Sequence, residues 1–271
     1  MHIAILVLLF LALAPTYLML IWSFKNPFQF LDDRWLVSFP LRVGNYAAAW
    51  EIVQRYIFNT IFVAIAGFLG MIALSVIGGH VFARMRFPFR EPLYYAIISL
   101  LMVPWVLTLI PQYMLYYDLG LVNTRWALIM PMIAHGQVLG IFLTRAFISG
   151  IPEELYEAAR CDGAGTWTLI WRITVPLSLP ILAVLAVLTF LSAWNSFIWP
   201  LVAITDAKLQ VISVGLYAIS ETGEIGGGPQ PFDRYGPLFA GYVIASVPLA
   251  ILFVFLGRFY VEGLIESGLK A

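Results

Sequence analysis

The stretch YIFNTIFVAIAGFLGMIALSVIGG, residues 56–79, decides the fold of this chain, and it contains no Asp, Glu, Lys or Arg. A helix rises about 1.5 Å per residue, so roughly 20 apolar residues cross the ~30 Å hydrocarbon core of a bilayer. Strands of membrane barrels are about 10 residues long and alternate between apolar and polar residues. This stretch is longer and does not alternate, so it does not predict barrel strands. Backbone groups in lipid must be hydrogen-bonded internally, so the stretch predicts a membrane-spanning α-helix.

Similar windows on both sides of this stretch extend the prediction to six spans. The predicted spans cover about residues 3–22, 56–79, 93–116, 126–148, 179–201 and 238–260. Met1 and His2 precede the first window, with no Lys or Arg, so we expect a retained helix and not a cleaved signal peptide. The predicted fold class is an all-α integral membrane protein, with residues 1–271 forming a single transmembrane domain surrounded by membrane lipid.

Composition supports this class and excludes several others. Of the 271 residues, 62% are apolar and 11% are charged, whereas a soluble domain is about 25% charged. The 15 basic and 15 acidic residues cancel, so no basic face is expected and the chain should not bind nucleic acid. Cys161 is the only cysteine, which excludes a disulfide framework.

Polar residues are few inside the predicted spans. No Asp, Glu or Lys lies deep in any of them; an ion-driven carrier would normally place a carboxylate there. We expect His80 and His135 to be hydrogen-bonded within the bundle. Gly136 and Gly140 form a small-xxx-small pair, which predicts the close approach of another helix.

The connections between the spans indicate an orientation. Three arginines fall between residues 84 and 90, and short positively charged loops favour the cytoplasm. We therefore predict that both termini are cytoplasmic. Residues 25–55 are predicted to be an ordered external segment with a helix near residues 45–50. Residues 202–237 are predicted to be a mobile external loop, because glycine and proline are dense between residues 223 and 231.

Motifs for catalysis and for cofactor binding are missing from the sequence. The histidines are far apart, with no metal-ligand spacing. A nucleotide-binding GxxxxGK[ST] loop is also missing. The chain is therefore predicted to be no enzyme and to bind no cofactor, so the energy for active transport must come from another polypeptide.

One connection differs from the others, because it is polar but helix-forming. Residues 151–176 read IPEELYEAARCDGAGTWTLIWRITVP. Pro152 suits a first helical position, Glu153 and Glu154 suit a helix N-terminus, and Gly163 permits a sharp turn. We predict two short helices joined by a glycine turn. The product, called the knob, would be a compact projection able to enter a groove on a partner protein.

The knob carries the residues of a known pattern. Glu157-Ala158-Ala159, then Gly163, Ile173 and Pro176 resemble the EAA-x3-G-x9-I-x-L-P loop of ABC importer permeases, with Val175 in place of leucine. The resemblance continues through Phe58-Asn59-Thr60, Met102-Val103-Pro104 and Trp194-Asn195-Ser196-Phe197. Among these permeases the chain is most similar to the carbohydrate-uptake branch, in particular the smaller permease subunit of maltose-type and glycerol-phosphate-type importers. His80 departs from that pattern.

The resemblance implies a type I importer in the cytoplasmic (inner) membrane of a prokaryote. Its other parts would be a second homologous permease subunit, two ATPase subunits that bind ATP and magnesium, and an extracytoplasmic solute-binding protein. The knob would be the cytoplasmic coupling loop, seated in a cleft of one ATPase subunit. The residues expected to make this coupling contact are Glu157, Ala158, Ala159, Asp162 and Gly163.

The sequence does not single out one solute or one set of pathway residues. Sugar sites use aromatic and hydrogen-bonding side chains, and the candidates here are Trp194, Asn195, Gln112 and Tyr113. Each residue could equally belong to the interfacial aromatic belt or to bundle packing. A deep arginine is missing, which favours a neutral sugar, but glycerol 3-phosphate or another polyol derivative stays open. The rival functions are an ion-driven secondary carrier and a membrane scaffold.

Overall fold

The computed structural model of the protein describes residues 2–222 and 234–268. Its α-helices are α1 (His2–Ser23), α2 (Pro27–Asp32), α3 (Gly44–Arg84), α4 (Arg90–Ser99), α5 (Trp105–Asp118), α6 (Arg125–Ser149), α7 (Glu153–Cys161), α8 (Thr166–Leu169), α9 (Val175–Leu177), α10 (Leu179–Asn195), α11 (Ile198–Ala203), α12 (Ile212–Thr222) and α13 (Tyr235–Gly268). A 3₁₀ turn (Leu100–Met102) follows α4, and a π-helical turn (Ile170–Thr174) follows α8. No strand occurs in the described ranges, and the all-α prediction is confirmed.

Four helices are long and apolar enough to cross a membrane. They are α1, α3, α6 and the part of α13 up to Phe255. Two bent pairs also qualify if each pair counts as one span, which gives six, the number that the sequence predicts. In the first pair, Arg90–Met102 meets Trp105–Asp118 at 98°, and in the second, Thr166–Leu177 meets Leu179–Asn195 at 75°.

The first bend lies inside the predicted span at residues 93–116, and the second lies just before the predicted span at residues 179–201. At the first bend, Val103 is extended before Pro104, because a proline disfavours the helical region for the residue before it. The second bend lies at Ser178, and Pro180 then occupies the first turn of α10, where a missing N–H costs nothing. Other prolines lie inside continuous helices, among them Pro15, Pro111, Pro131 and Pro248.

The chain divides into two compact units. The first comprises residues 1–60 and 210–251. Within this unit, hydrogen bonds order the segment at residues 25–55. The side-chain amide of Asn45 donates to the carbonyl oxygens of Ser23 and Lys25 at 2.8 and 3.0 Å. Asn26 and Gln29 form a capping box at the start of α2.

The predicted loop at residues 202–237 is partly helical. It includes the end of α11 and the whole of α12. Within the first unit, the backbone N–H of Ile212 donates to the Thr60 hydroxyl at 2.8 Å, at the start of α12. The glycine- and proline-rich residues 223–231, on which the prediction of mobility rests, lie outside the described residues.

The second unit comprises residues 61–209 and 252–271, and it is built on close packing of α6 against α3. A Cβ atom added at Gly136 would lie 2.8 Å from Cγ of Met71, and one at Gly140 would lie 2.8 Å from Cβ of Ser75. Both distances are too short for carbon atoms, so only glycine fits at these positions. The helix that approaches the predicted small-xxx-small pair is therefore α3.

Candidate functional site

The knob is anchored by a fully buried tyrosine. The side chain of Tyr156, on α7, is 0% exposed and packs in a cluster with Ile148, Ile151 and Leu169. Its ring lies under the Arg84 guanidinium, with the ring centroid 4.5 Å from Cζ. This packing holds α7 against the ends of α3 and α6.

A second contact to Tyr156 comes from the π-helical turn. The Tyr156 hydroxyl lies 3.1 Å from Oγ1 of Thr174, and the same Oγ1 lies 2.9 Å from Nδ1 of His80. His80 and Thr174 are also buried. The expected hydrogen bond of His80 within the bundle is therefore present.

Arg84, the last residue of α3, joins three helices. Its guanidinium donates to the carbonyl oxygens of Ile148, at 2.5 Å, and Ile151. Carbonyl groups at a helix C-terminus lack partners within the helix, and Arg84 supplies one to the end of α6. It also forms a 2.6 Å ion pair with Glu153 at the start of α7.

Glu153 is shared between two arginines, because Arg160 donates to its other oxygen at 3.1 Å. Partial desolvation acts to raise the pKa of Glu153, but the hydrogen bonds from Arg160 and Arg84 outweigh it and hold that pKa below its usual value. The carboxylate is therefore ionised at neutral pH, and α7 begins with a charge that suits a helix N-terminus.

The turn after α7 requires glycine. Gly163 has a φ of +84°, a backbone conformation that costs other L-residues roughly 1–2 kcal/mol. Its N–H donates to the Arg160 carbonyl at 3.0 Å, and the N–H of Ala164 donates to the Ala159 carbonyl at 2.9 Å. Together these two bonds form a Schellman motif, which ends the helix sharply.

The five predicted coupling residues fall into two groups. Four are exposed, and they form the surface called the crown: Glu157, Ala158, Asp162 and Gly163. Ala159 is half-buried and packs inward against the cluster around Tyr156. The crown is thus an exposed patch of small and acidic residues at the end of α7, and α7 is held in place by the buried cluster around Tyr156.

A separate cavity of about 720 Å³ lies in the second unit, between α5, α6 and α10. Two predicted pathway residues, Gln112 and Asn195, line it. Its other polar and aromatic lining residues are Trp105, Thr108, His135, Thr189, Ser192, Ser196, Phe197 and Trp199. None of the described residues that line this cavity is Asp, Glu, Lys or Arg.

The other two predicted pathway residues do not line the cavity. Trp194 is buried and stacks on Phe190, with centroids 5.2 Å apart and an interplanar angle of 16°. Tyr113 stacks on Tyr117 at 6.5 Å. Both residues contribute to aromatic packing, the alternative that the sequence left open for them.

Several residues that line the cavity are not among the predicted pathway residues. The spacing of three of them along the sequence nevertheless marks a polar helix face. Thr189, Ser192 and Ser196 recur at i, i+3 and i+7 in and after the apolar helix α10, which marks one polar face. His135 and Trp199 join that face only through folding, since they lie on other helices. Across the described residues, no group of three or more His, Cys, Asp or Glu side chains is placed to hold a metal ion.

Comparison with known proteins identifies the chain's relatives. The family model described as "Binding-protein-dependent transport system inner membrane component" matches residues 71–265. The diacetylchitobiose uptake system permease protein of Streptomyces coelicolor is 29% identical, over 95% of this chain and 84% of its own length. The sn-glycerol-3-phosphate transport system permease protein of Agrobacterium fabrum is 33% identical, over 79% and 73% respectively.

The fold also matches a solved structure. A chain in the crystal structure of a bacterial ABC transporter involved in the import of the acidic polysaccharide alginate superposes with a TM-score of 0.83. That alignment covers 96% of this chain and 94% of the other at 20% identity, so it bears on the fold alone. The family match spans most of the chain, and the predicted resemblance of the chain to ABC importer permeases is confirmed. The protein therefore belongs to the family of binding-protein-dependent transport system inner membrane components, and it is a non-catalytic permease subunit of an ABC importer.

Proposed function

We propose that this permease moves a neutral sugar across the cytoplasmic membrane and that its crown docks in a cleft of an ATPase subunit. Two ATPase subunits would hydrolyse ATP, a homologous second permease would complete the pathway, and an extracytoplasmic binding protein would deliver the solute. The observation that carries the proposal is the contrast within the knob. The buried cluster around Tyr156, with Ala159, Arg84 and Thr174 packed or hydrogen-bonded against it, is called the base. The base is buried and hydrogen-bonded, whereas the crown is exposed.

The chemistry of the crown suits such a contact. Ala158 has almost no side chain, so the backbone of a partner can approach α7 closely. Glu157 and Asp162 flank it with two carboxylates that a partner's basic or N–H groups can bind. Since the base holds α7 in place, docking costs little conformational entropy.

Charge at the same end of the unit supports a cytoplasmic knob. Arg84, Arg86, Arg90 and Arg145 lie on or next to the helix ends that surround it, and Arg145 pairs with Glu91 at 2.7 Å. Basic residues at the ends of spans favour the cytoplasmic side. With six spans, both termini would then be cytoplasmic and residues 202–237 would face outward, where they can contact the binding protein.

The cavity supports a neutral sugar. Amide, hydroxyl and imidazole groups can hydrogen-bond sugar hydroxyls, and the indoles of Trp105 and Trp199 offer flat apolar faces. An anionic solute would be expected to meet Arg or Lys, and none of the described lining residues is either. The names of two relatives, the diacetylchitobiose permease above and the arabinooligosaccharides transport system permease protein of Halalkalibacterium halodurans, fit the same solute class.

Glycerol 3-phosphate is the second candidate, because a relative named for its transport is 33% identical. Uptake of labelled diacetylchitobiose, an arabino-oligosaccharide and glycerol 3-phosphate should be compared in cells with and without this gene. Gene-dependent uptake of either sugar is the expected result. Gene-dependent uptake of glycerol 3-phosphate alone would overturn the neutral-sugar assignment.

Docking is tested by placing a large side chain on the crown. Ala158→Arg should leave the permease folded, but the ATPase subunits should no longer co-purify with it and uptake should be lost. Ala207→Arg is the matched control, since Ala207 is also exposed but lies in the segment proposed to be external. Retention of the ATPase by Ala158→Arg would show that the crown is not the docking surface.

A further inference from the structure

We propose that His80, Arg84, Tyr156 and Thr174, together called the Tyr156 clamp, carry the movement of the knob into the cavity, with Thr174 as the central positioning residue. This inference rests on the proposed docking of the crown on an ATPase subunit. The clamp would be the path by which that docking acts on the membrane-spanning helices.

The clamp fixes the orientation of α7 relative to α3. His80 and Arg84 are one turn apart on α3, so they share a helix face. Both contact the ring of Tyr156, with centroid distances of 5.9 Å for the imidazole and 4.5 Å to the guanidinium carbon. Two contacts on one rigid ring resist rotation, so α7 cannot tilt without displacing the end of α3.

Thr174 links this pair to a third element. Its hydroxyl carries one proton but has two partners, Nδ1 of His80 at 2.9 Å and the hydroxyl of Tyr156 at 3.1 Å. It can therefore donate to at most one of them and accepts from at least one. All three side chains are buried, so water is not at hand to replace a lost bond.

The position of Thr174 in its own helix adds to its importance. It ends the π-helical turn Ile170–Thr174, shortly before the 75° bend that leads into α10. Such π-helical turns occur frequently at functional sites. Displacement of the Tyr156 hydroxyl would thus act directly on the irregular segment from which α10 begins.

Continuous packing connects the clamp to the cavity. Ile170 of the π-helical turn belongs to the same buried cluster as Met71 of α3 and Leu185 of α10. Met71 and Leu185 both line the cavity. Contiguous packed side chains of this kind can transmit a displacement, because tightly packed interiors do not absorb it.

The experiment uses the complete importer with its own ATPase subunits and partner permease. In all variants Cys161→Ser removes the native thiol, and Ser192→Cys places one on an exposed position of the cavity lining. The probe is the rate of alkylation by N-ethylmaleimide, measured with and without MgATP and vanadate. The reference importer carries only these two substitutions, and the addition of MgATP and vanadate is called trapping. We expect trapping to change the alkylation rate of the reference importer.

Thr174→Val keeps the shape of the side chain but removes the hydroxyl. It should retain its ATPase subunits and ATP hydrolysis, whereas the change in alkylation rate on trapping should shrink about fivefold or more, the factor expected for one unmade buried hydrogen bond. Thr174→Ser should restore the change. If Thr174→Val does not assemble, Tyr156→Phe removes the same bond while keeping the ring.

Thr60→Val is the matched control, because Thr60 is also buried and hydrogen-bonded but lies in the other unit. The clamp proposal would be overturned if trapping left the alkylation rate of the reference importer unchanged, or if Thr174→Val showed the full change in that rate. Equal losses in Thr174→Val and Thr60→Val would also overturn it. Failure of the docking proposal is distinguishable, since it appears as ATPase retained by Ala158→Arg.

Discussion

The knob and the cavity are assembled in different ways. The knob is made mainly from one continuous stretch, residues 151–176, and α7, its glycine turn and its buried tyrosine follow one another within that stretch. The cavity is made from α5, α6 and α10, and its polar lining residues Gln112, His135 and Asn195 are dispersed along the chain. A local pattern can specify the first, whereas only folding brings the second together.

The two regions also differ in whether their polar side chains are buried against other parts of the chain or border an open volume. At the base of the knob, Arg84 and Thr174 contact partners within the chain, whereas the crown is exposed. In the cavity, hydroxyl, amide and imidazole groups line an open volume. The difference indicates a rigid docking surface in one place and a space for a small polar molecule in the other.

The sharpest test of this contrast uses two glycines with the same geometry. Gly163 ends α7 and Gly120 ends α5, each with positive φ, each in a Schellman motif, and with open space where a Cβ would lie. Gly163→Pro forces φ to about −65° and removes the N–H, so ATPase co-purification and uptake should be abolished. Gly120→Pro should impose the same local strain but retain the ATPase subunits. Loss of the ATPase in both variants would contradict a specific role of the knob.

The next largest effect separates the base of the knob from its crown. Ala159→Leu should overpack the cluster around Tyr156 and lower the free energy of unfolding by about 1–3 kcal/mol, seen as a lower melting temperature of the purified permease. Ala158→Leu should leave the melting temperature unchanged, because Ala158 is exposed, but weaken ATPase co-purification. Equal melting temperatures for the two variants would show that Ala159 is not part of the base.

A smaller effect is expected in the cavity. Gln112→Leu and Asn195→Leu should each reduce uptake of the transported sugar about 5- to 150-fold, because each amide is expected to make a buried hydrogen bond to the solute worth roughly 1–3 kcal/mol. Tyr113→Phe and Trp194→Phe change aromatic side chains outside the cavity and should leave the Michaelis constant for uptake nearly unchanged. A larger effect on uptake from Tyr113→Phe or Trp194→Phe than from Gln112→Leu or Asn195→Leu would place the solute pathway outside this cavity.

The smallest effect concerns Glu153 and pH. Its pKa is lowered in the folded protein, so its contribution to stability is present above the unfolded pKa and is lost as pH falls through the folded pKa. Glu153→Gln should lower stability at neutral pH by at most about 1 kcal/mol, since the side chain is partly exposed. The difference in melting temperature between wild type and Glu153→Gln should vanish in acid; a gap that persists at low pH would contradict this.

The sequence predicts the knob far better than the cavity. Polarity, glycine and the EAA spacing are local signals, and they indicate α7, the Gly163 turn and all four residues of the crown. The inward position of Ala159 is not predicted, because one alanine contains no sign of which way it faces. Gln112 and Asn195 are polar residues near helix ends, but the same reasoning selects Tyr113 and Trp194, whose stacking partners only the fold reveals.

The span pattern is predictable for a similar reason. Apolar length alone locates α1, α3, α6 and α13, because the bilayer requires it. The bends next to Pro104 and Pro180 are not distinguishable in the sequence from Pro111, Pro131 and Pro248, which lie within continuous helices. Whether a proline bends a span depends on the backbone of its neighbours, and Val103 and Ser178 adopt non-helical conformations at the two breaks.

The most direct test of the central claim, that the crown docks on an ATPase subunit, uses the chain's only cysteine. Cys161 is a free, exposed thiol within the knob, next to Asp162 of the crown. Its rate of alkylation should be measured in the purified permease complex before and after the ATPase subunits are stripped. The control is the double variant Cys161→Ser/Ala207→Cys, which places an exposed thiol away from the knob. We predict that the ATPase slows alkylation of Cys161 but does not change the rate in the control variant. Equal rates for Cys161 with and without the ATPase would contradict it.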